Sequence, residues 1–394
     1  MLVSCMSRVY LAVFVTAVLG YSNIALASSK PEISGFARAI VGVADHDDVD
    51  AIDYDKTPSL KPHSLIGVQA DWQITQHWSA TAQMLGRADR DLKSGIEWLY
   101  AQYAADHGVN YKVGRLRSPF FMYSNVLNVG YSYHWIQAPS EVYSPVLFDH
   151  FDGGEASYTY FGEDFSATVS GFLGQFDGDV EYLGEQYTTD VNTFSGLVFE
   201  VSFDKLKLQS SINRGNIFVK NPMLSQLSDV AEQAGLSEVA QALSIDGEVT
   251  YFQVGFSYET FDYFIKGEWV DFHHDFSLLA ETRANYISVG YQLDNLLFHL
   301  TAAKRDDALK PMNDFIPPID ALSPLAGLYH QLSNVRAHSD QDSYIFGVRW
   351  DVGDNIALKA EVNHTIFDQD DLDPALSTQP EDTTLVLLGA EWVF

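Results

Sequence analysis

The chain has 394 residues and a formal net charge of −30 at pH 7, because 53 acidic residues stand against only 23 lysines and arginines. A charge this negative argues against nucleic acid as a partner and against simple adsorption to anionic lipid. Since 46% of the residues are hydrophobic and 13% are aromatic, the composition also excludes a disordered chain.

The first predicted element is a secretory signal peptide over residues 1–27. Arg8 precedes an apolar run from Val9 to Leu19, and Ala25 and Ala27 form a small-x-small cleavage site. The run is too short for a membrane helix, which needs about 20 residues, and no later apolar stretch approaches about 18 residues. We therefore expect an exported mature chain over 28–394 that contains no cysteine, and we expect no helical membrane spans.

In sixteen segments that follow, apolar residues alternate with polar or small ones. This period of two is expected of transmembrane β-strands of about 9–11 residues. In the second segment, Ile66, Val68 and Trp72 share an apolar face opposite Gln69 and Asp71. For the segments at 94–106 and 191–204, the pattern does not show which residues face the lipid and which face the lumen. The segments lie near 33–44, 64–75, 77–88, 94–106, 108–117, 154–162, 164–174, 191–204, 205–214, 247–259, 261–273, 283–293, 295–305, 341–352, 355–367 and 383–394.

The connections between these segments alternate between short turns and longer loops. The loops lie at about 45–63, 89–93, 118–153, 175–190, 215–246, 274–282, 306–340 and 368–382. A closed barrel places short turns at the periplasmic end and long loops at the external end, whereas a soluble sandwich has no reason to sort them. The sequence therefore predicts an all-β fold, a transmembrane antiparallel up-and-down β-barrel of about 16 strands. Apolar residues at near-helical spacing predict a short helix over 222–244, inside one external loop.

The last six residues follow a Gly-x-x-aromatic-x-Phe pattern, carried by Gly389, Trp392 and Phe394. In this pattern, and in the rhythm of turns and loops, the chain resembles the Gram-negative outer-membrane porins. Leu387 departs from the family, which usually has a polar residue there. The resemblance implies an outer-membrane location, a homotrimer, and an assembly signal that the barrel-assembly machinery reads in the last strand. We expect outer-membrane lipid and lipopolysaccharide around the barrel.

The loop at 118–153 is the candidate constriction loop. In the porins that the chain resembles, the corresponding loop folds inward and narrows the channel, and residues 151–155 loosely match a family element within it. The candidate constriction residues are Glu141, Asp149, Asp152, Tyr131 and Trp135. A loop packed on the outside of the barrel is the alternative.

Strand parity predicts which charged side chains point into the lumen, where they avoid the cost of about 2–4 kcal/mol that a charge has near the centre of the lipid face. The resemblance implies a basic wall facing an acidic loop, which would produce a transverse field. Solvated lumen charge without special geometry is the alternative. The predicted wall residues are Arg38, Arg87, Lys112, Lys207, Lys266, Arg305, Arg349, Lys359, Asp71, Glu200, Glu268 and Glu361.

The sequence contains no Gly-x-Ser-x-Gly elbow, no His-Glu-x-x-His motif and no phosphate loop, so we expect no enzyme activity, no cofactor and no metal site. The resemblance implies a water-filled channel for passive diffusion of small hydrophilic solutes and ions. Acidic runs in the loops predict a weak preference for cations. The alternatives are a channel selective for sugars or aromatic solutes, a non-conducting adhesin or structural barrel, and an outer-membrane hydrolase.

Overall fold

A computed structural model describes residues 30–45, 54–89, 94–144, 148–182, 185–233, 235–309, 340–368 and 381–394. The signal peptide expected at 1–27 lies outside these residues. The strands of the described chain form one closed antiparallel barrel, in which each strand pairs with its neighbours in sequence and the last pairs with the first. This confirms the all-β, up-and-down fold that the period-two segments predict.

The sixteen strands have the following bounds: β1 Glu32–Ala44, β2 Leu65–Gln73, β3 Trp78–Arg87, β4 Gly95–Ala104, β5 Val109–Arg117, β6 His150–Phe161, β7 Phe165–Tyr182, β8 Glu185–Phe203, β9 Leu206–Lys220, β10 Asp246–Glu259, β11 Tyr263–His274, β12 Glu281–Leu293, β13 Leu296–Ala308, β14 Gln341–Gly353, β15 Ile356–Phe367 and β16 Thr383–Val393.

Short helices lie in two of the longer connections. Helix α1 (Ser140–Tyr143) lies between β5 and β6, and α2 (Pro222–Gln233) and α3 (Ser237–Ala242) lie between β9 and β10. The segment predicted as one helix over 222–244 is thus two helices. Gly235 stands between them with a φ of 77°, a left-handed conformation that commonly ends a helix. In the described part of the chain, no helix is long and apolar enough to cross a membrane.

The outer face of the barrel is apolar. In β12, Ile287, Val289 and Tyr291 are exposed on the outside, whereas Tyr286 and Ser288 are buried on the inside. Outward-facing aromatic residues are each more than a third exposed, and all but Trp269 lie within three residues of a strand end: Trp72, Trp78, Tyr111, Tyr263, Trp269, Tyr291 and Trp392. Because its apolar side chains point away from the interior, the barrel has the arrangement that a hydrocarbon environment requires.

The barrel closes where β1 meets β16. The backbone N–H of Gly35 donates to Phe394 at 2.8 Å, and the N–H of Phe394 donates back to Gly35 at 2.9 Å. Gly389 lies opposite Ile40, and a side chain at Gly389 would overlap it. The glycine and the terminal phenylalanine of the C-terminal pattern therefore both contribute to this seam.

Two bulges explain why two strands had ambiguous facing. In β4, Ile96 pairs with Met84 and Trp98 pairs with Gln83, which leaves Glu97 as the extra residue. In β8, the register shifts between Asn192 and Ser195, and Thr193 has a φ of 58°. An extra residue in a strand reverses the inside–outside alternation beyond it, so no single parity fits the segment.

Strands β7 and β8 continue through most of the loop predicted at 175–190. Phe176, Val180 and Val191 are buried there and belong to the main hydrophobic cluster inside the barrel. This interior contact gives the two strands a reason to extend beyond the length that a membrane span requires, and that reason is not visible in their local sequence pattern.

Candidate functional site: the barrel interior

The connection between β5 and β6 folds into the barrel rather than over its outside. Trp135, Ile136, Glu141 and Val142 each have no exposed surface. The segment makes single helical turns at Ser124–Val126 and Gly130–Ser132 before α1. Most of its hydrogen bonds to the wall go to residues of β11 to β15 and β1. Its aromatic residues also contact β8 and β10.

Wall carboxylates hold the backbone N–H groups of this loop. Glu361 on β15 accepts hydrogen bonds from the N–H of Ile136 at 2.8 Å and of Gln137 at 3.5 Å. Glu268 on β11 accepts from the N–H of Met122 at 2.9 Å and from the hydroxyl of Tyr143 at 2.7 Å. Buried backbone donors need partners, and these two carboxylates supply them.

Wall cations hold the carbonyls of the same loop. Arg349 on β14 donates to the carbonyls of Tyr131 at 2.7 Å and Tyr133 at 3.0 Å. Arg38 on β1 donates to the carbonyl of Ile136 and, at 3.2 Å, to the hydroxyl of Tyr133. Lys359 on β15 also donates to loop carbonyls. These predicted wall residues point inward, but they bind the loop backbone instead of facing open lumen.

The aromatic rings of the loop are anchored as well. Trp135 donates from its indole Nε1 to Thr301 Oγ1 at 2.9 Å, and its ring lies edge-on to Tyr286. Tyr131 donates its hydroxyl to the carbonyl of Asp354 at 2.9 Å, and the guanidinium of Arg349 lies 4.7 Å from the centre of its ring. Both candidate constriction aromatics thus contact the wall.

The acids predicted for the loop occupy three different environments. Glu141 is buried and accepts hydrogen bonds from Gln341 at 2.6 Å and from Ser343, both on β14. Asp149 contacts Arg117 at 3.5 Å and His150 at 2.7 Å. Burial alone would raise the pKa of the Asp149 carboxyl, but these two partners lower that pKa below its ordinary value.

The assignment of Asp152 to the loop is wrong. Strand β6 begins at His150, so Asp152 is the third residue of a strand and its side chain is exposed. Asp152 forms an ion pair with Arg115 of β5, with 3.1 Å between Oδ1 and Nε. The error arose because the strand was predicted to begin at residue 154, four residues too late.

An aromatic cluster fills the space between the loop and strands β6 to β10. Rings of Phe120 and Phe148 from the loop pack against Phe194 from β8 at centroid distances of 5.5 and 4.9 Å. Leu224 of α2 and Val239 of α3 are buried in the same cluster. The helices between β9 and β10 therefore pack onto the interior of the barrel.

The remaining wall charges form pairs with neighbouring side chains. Their nitrogen–oxygen distances are 3.3 Å for Arg87–Glu97, 3.0 Å for Lys112–Glu155, 2.7 Å for Lys207–Glu200, 3.1 Å for Lys266–Glu259 and 2.8 Å for Arg305–Asp307. Asp71 accepts hydrogen bonds from Thr81 and Gln69 at 2.7 Å each. Inside the barrel, Lys112, Glu155, Glu200 and Lys207 are 20–41% exposed, and Glu259, the last residue of β10, is 57% exposed.

The basic wall and the acidic loop do not face each other across open space as expected. Glu141 is bonded to the wall, Asp149 lies beside Arg117, and Asp152 lies outside the loop. Arg38, Arg349 and Lys359 are bound to loop carbonyls. In the described residues, the loop and the wall are joined by hydrogen bonds where the expected field would need a gap between them.

No protein-family model matches the chain, and no curated protein matches its sequence. Solved structures do match. OmpF of Salmonella typhi, in complex with daunomycin, is 11% identical over 95% of this chain and 99% of its own, with a TM-score of 0.58. A loop-deletion mutant of OmpT, an outer membrane protein of Vibrio cholerae, is 12% identical over 93% and 100%, with a TM-score of 0.55. The anion-selective porin of Comamonas acidovorans is 10% identical over 93% and 99%, also with a TM-score of 0.55.

The chain has a porin-like barrel fold. At these identities the likeness establishes the fold alone, so the chemistry of the interior has to be derived from the residues of this chain.

Several residues of this porin-like interior are not among those predicted from the sequence. Glu391 is fully buried beside Lys359, at 2.6 Å. It stands next to outward-facing Trp392, so strand parity alone would have placed it inside. Glu97 lies in a bulge, and parity does not reveal it. Ser288 and Thr301 are small hydroxyl residues whose role as partners of His134 and Trp135 depends on the path of the loop.

Proposed function

We propose that the chain is an outer-membrane porin that lets small hydrophilic solutes and ions cross by passive diffusion. The observation that supports this is that the loop is hydrogen-bonded mainly to one part of the inner wall and leaves charged side chains on another part accessible. Most hydrogen bonds between the wall and the loop that joins β5 to β6 come from β11–β15 and β1. Lys112, Glu155, Glu200 and Lys207 on β5–β9 remain partly exposed inside. The passage would run along these residues.

The charges along this passage support weak ion selectivity. Lys112 pairs with Glu155, and Lys207 pairs with Glu200, so each cation is matched by a neighbouring carboxylate. Close pairs cancel at distances beyond the pair itself, and salt screens what remains. The acidic runs predicted at 45–50 and 368–371, which lie largely outside the described residues, would add a small preference for cations at the mouth.

The apolar outer face supports a location in the outer membrane, surrounded by lipid and lipopolysaccharide. Export would use the signal peptide at 1–27, and the barrel-assembly machinery would recognise Gly389, Trp392 and Phe394 in the last strand. A homotrimer is part of this proposal. The OmpT protein of Vibrio cholerae, which has a TM-score of 0.52 to this chain, has been solved in a trimer form.

A non-conducting structural barrel is the second candidate, and one observation favours it. The aromatic cluster, with α2 and α3 packed on it, fills the interior beside β6–β10. A channel with a stacking track for sugars or aromatic solutes has less support, because the loop rings Phe120, Phe121, Tyr133 and Trp135 are at most 7% exposed.

Conductance across planar bilayers tests the proposal. The refolded chain over 28–394 should open in discrete steps under a salt gradient, with a reversal potential close to zero and slightly cation-biased. A protein with a β-barrel circular dichroism spectrum and no conductance would refute the channel and favour the structural barrel.

The position of the passage is tested by a matched pair of neighbours on β6. Ser157 faces the interior and Ala156 faces outward. Ser157→Trp should lower the single-channel conductance because it adds a large ring to the passage, and Ala156→Trp should leave it unchanged. Equal conductance in both variants would place the passage elsewhere.

A further inference from the structure

The environment of Lys359 differs from that of the other wall cations. It lies on β15, points into the barrel and is 4% exposed. Its ammonium donates to the carbonyl oxygens of Gly130, Tyr133 and Trp135, each at 2.8 Å. The carboxylate of Glu391 on β16 lies 2.6 Å from the same nitrogen. An ammonium has three N–H donors, so the three carbonyls and the carboxylate of Glu391 share them.

Three carbonyls that converge on one nitrogen determine the backbone path between them. Residues 130–136, the loop tip, begin with one helical turn at Gly130–Ser132. The tip passes Lys359 with the carbonyls of residues 130, 133 and 135 turned toward the ammonium. Away from the wall, the same carbonyls would be hydrated and free to point in different directions. The tip therefore has this shape because a buried cation lies inside its curve.

Two further contacts place the tip against Lys359 and Glu391. Gly130 packs directly on the carboxylate of Glu391, and any side chain at this position would overlap it. Arg38 lies 3.5 Å from Glu391 and donates to the carbonyl of Ile136, at the other end of the tip. Since Arg38 is on β1 and Glu391 is on β16, this arrangement is complete only where the barrel closes.

We propose that Lys359 is a positioning residue that sets where the loop tip lies, and thereby the width of the passage. The effect on width rests on the proposed channel function, whereas the placement of the tip does not. Lys359 is too buried to meet a solute and acts through the backbone it holds. A guanidinium is planar and cannot direct three hydrogen bonds at the same three carbonyls, so arginine is not an adequate replacement.

The test uses a single cysteine introduced at Ala138, which is 8% exposed and follows the tip. The only native cysteine is Cys5, so a chain over 28–394 carries one thiol. The thiol is placed in the wild-type background, in Lys359→Met, in Lys359→Arg and in the double variant Lys359→Met with Glu391→Gln. The double variant avoids leaving a buried carboxylate unpaired, which by itself can prevent folding. Lys304→Met is the control, because Lys304 lies on the outer face, 53% exposed, beside Asp306.

Maleimide labelling of the thiol should be at least about tenfold faster in the double variant and in Lys359→Arg, since three charge-assisted hydrogen bonds are lost or misdirected. The control should label at the wild-type rate. Labelling at the wild-type rate in the folded double variant would overturn the proposal. So would wild-type behaviour of Lys359→Arg, because it would mean that any cation suffices beside Glu391.

Conductance of the same variants separates this proposal from the channel proposal. Faster labelling with a changed conductance supports both. Faster labelling in a barrel that never conducts supports the positioning role and refutes the channel. An unchanged labelling rate in a conducting barrel overturns the positioning role alone.

Discussion

Replacing Trp135 with alanine should release the loop from the wall. Trp135 is fully buried, contacts the rings of Tyr286 and Tyr123 edge-on, and donates a hydrogen bond to Thr301. A buried tryptophan removes about 200 Å² from water, worth about 5 kcal/mol at ~25 cal/mol per Å². Partial collapse around the vacated space recovers some of this free energy. We therefore expect Trp135→Ala to reduce the free energy that holds the loop against the wall, here called loop seating, by about 4 kcal/mol.

Chymotrypsin is a suitable probe of this change because the loop is rich in aromatic residues that are buried in the seated state. At 1.4 kcal/mol per factor of ten, a loss of about 4 kcal/mol raises the population of released loops by about 10³-fold. Cleavage tracks this population when release is faster than proteolysis. Trp135→Phe, which loses the hydrogen bond and part of the ring, should raise cleavage much less.

Trp269→Ala is the control for this experiment, because Trp269 faces outward on β11 and packs on Phe252. It should leave loop cleavage unchanged. If Trp135→Ala folds and its loop is cleaved no faster than that of the wild type, the contacts of Trp135 with the wall do not hold the loop in place.

Three further predictions concern charge, pH and space. Glu155→Gln should unmask Lys112 and shift selectivity toward anions. A unit charge about 5 Å from a passing ion is worth about 0.8 kcal/mol in water, so it favours an anion and disfavours a cation by about fourfold each and changes their ratio by about 16-fold. Asp306→Asn on the outer face should not change the reversal potential. Burial, and then neighbouring positive charges, lower the pKa of His134 in the wall-bound loop. The imidazole of a released loop titrates near pH ~6.5, so a released loop takes up a proton below that pH. The wall-bound state is therefore most stable above pH ~6.5 and loses stability as the pH falls. Hydrogen exchange of loop amides, corrected for intrinsic rates, should therefore rise below pH ~6.5 in the wild type and rise less in His134→Gln; equal slopes would contradict this. Gly130→Ala should weaken seating by about 1–3 kcal/mol through overlap with Glu391 and speed chymotrypsin cleavage, whereas Gly353→Ala, where a Cβ meets nothing within 4 Å, should not.

The barrel itself was predictable because the membrane makes the same demand of every strand. Outward positions such as Ile66 and Val68 must be apolar, and inward positions such as Gln69 and Asp71 need not be, so a period of two is written into the sequence. The prediction failed where another contact overrides this demand. Glu97 and Thr193 sit in bulges, and Phe176 continues β7 beyond the membrane length through packing inside the barrel.

The interior was less predictable because it depends on backbone groups, which a side-chain pattern does not describe. Parity placed Arg38, Arg349 and Lys359 inside the barrel, where the structure has them. Their partners, however, are carbonyls of Tyr131, Tyr133 and neighbouring loop residues. Only the path of the loop determines those partners, and no local pattern in 118–149 specifies that path.

A loop that enters a β-barrel meets a wall whose own amides and carbonyls are already paired between strands. Its buried backbone groups can therefore be satisfied only by wall side chains or by water. Glu268 and Glu361 accept from loop N–H groups, and Lys359 and Arg349 donate to loop carbonyls. Buried charges on the wall of such a barrel are then loop anchors rather than ion-selective groups. A charge count over all inward positions overstates the field that an ion experiences, and here that field should depend mainly on the partly exposed pairs Lys112–Glu155 and Lys207–Glu200.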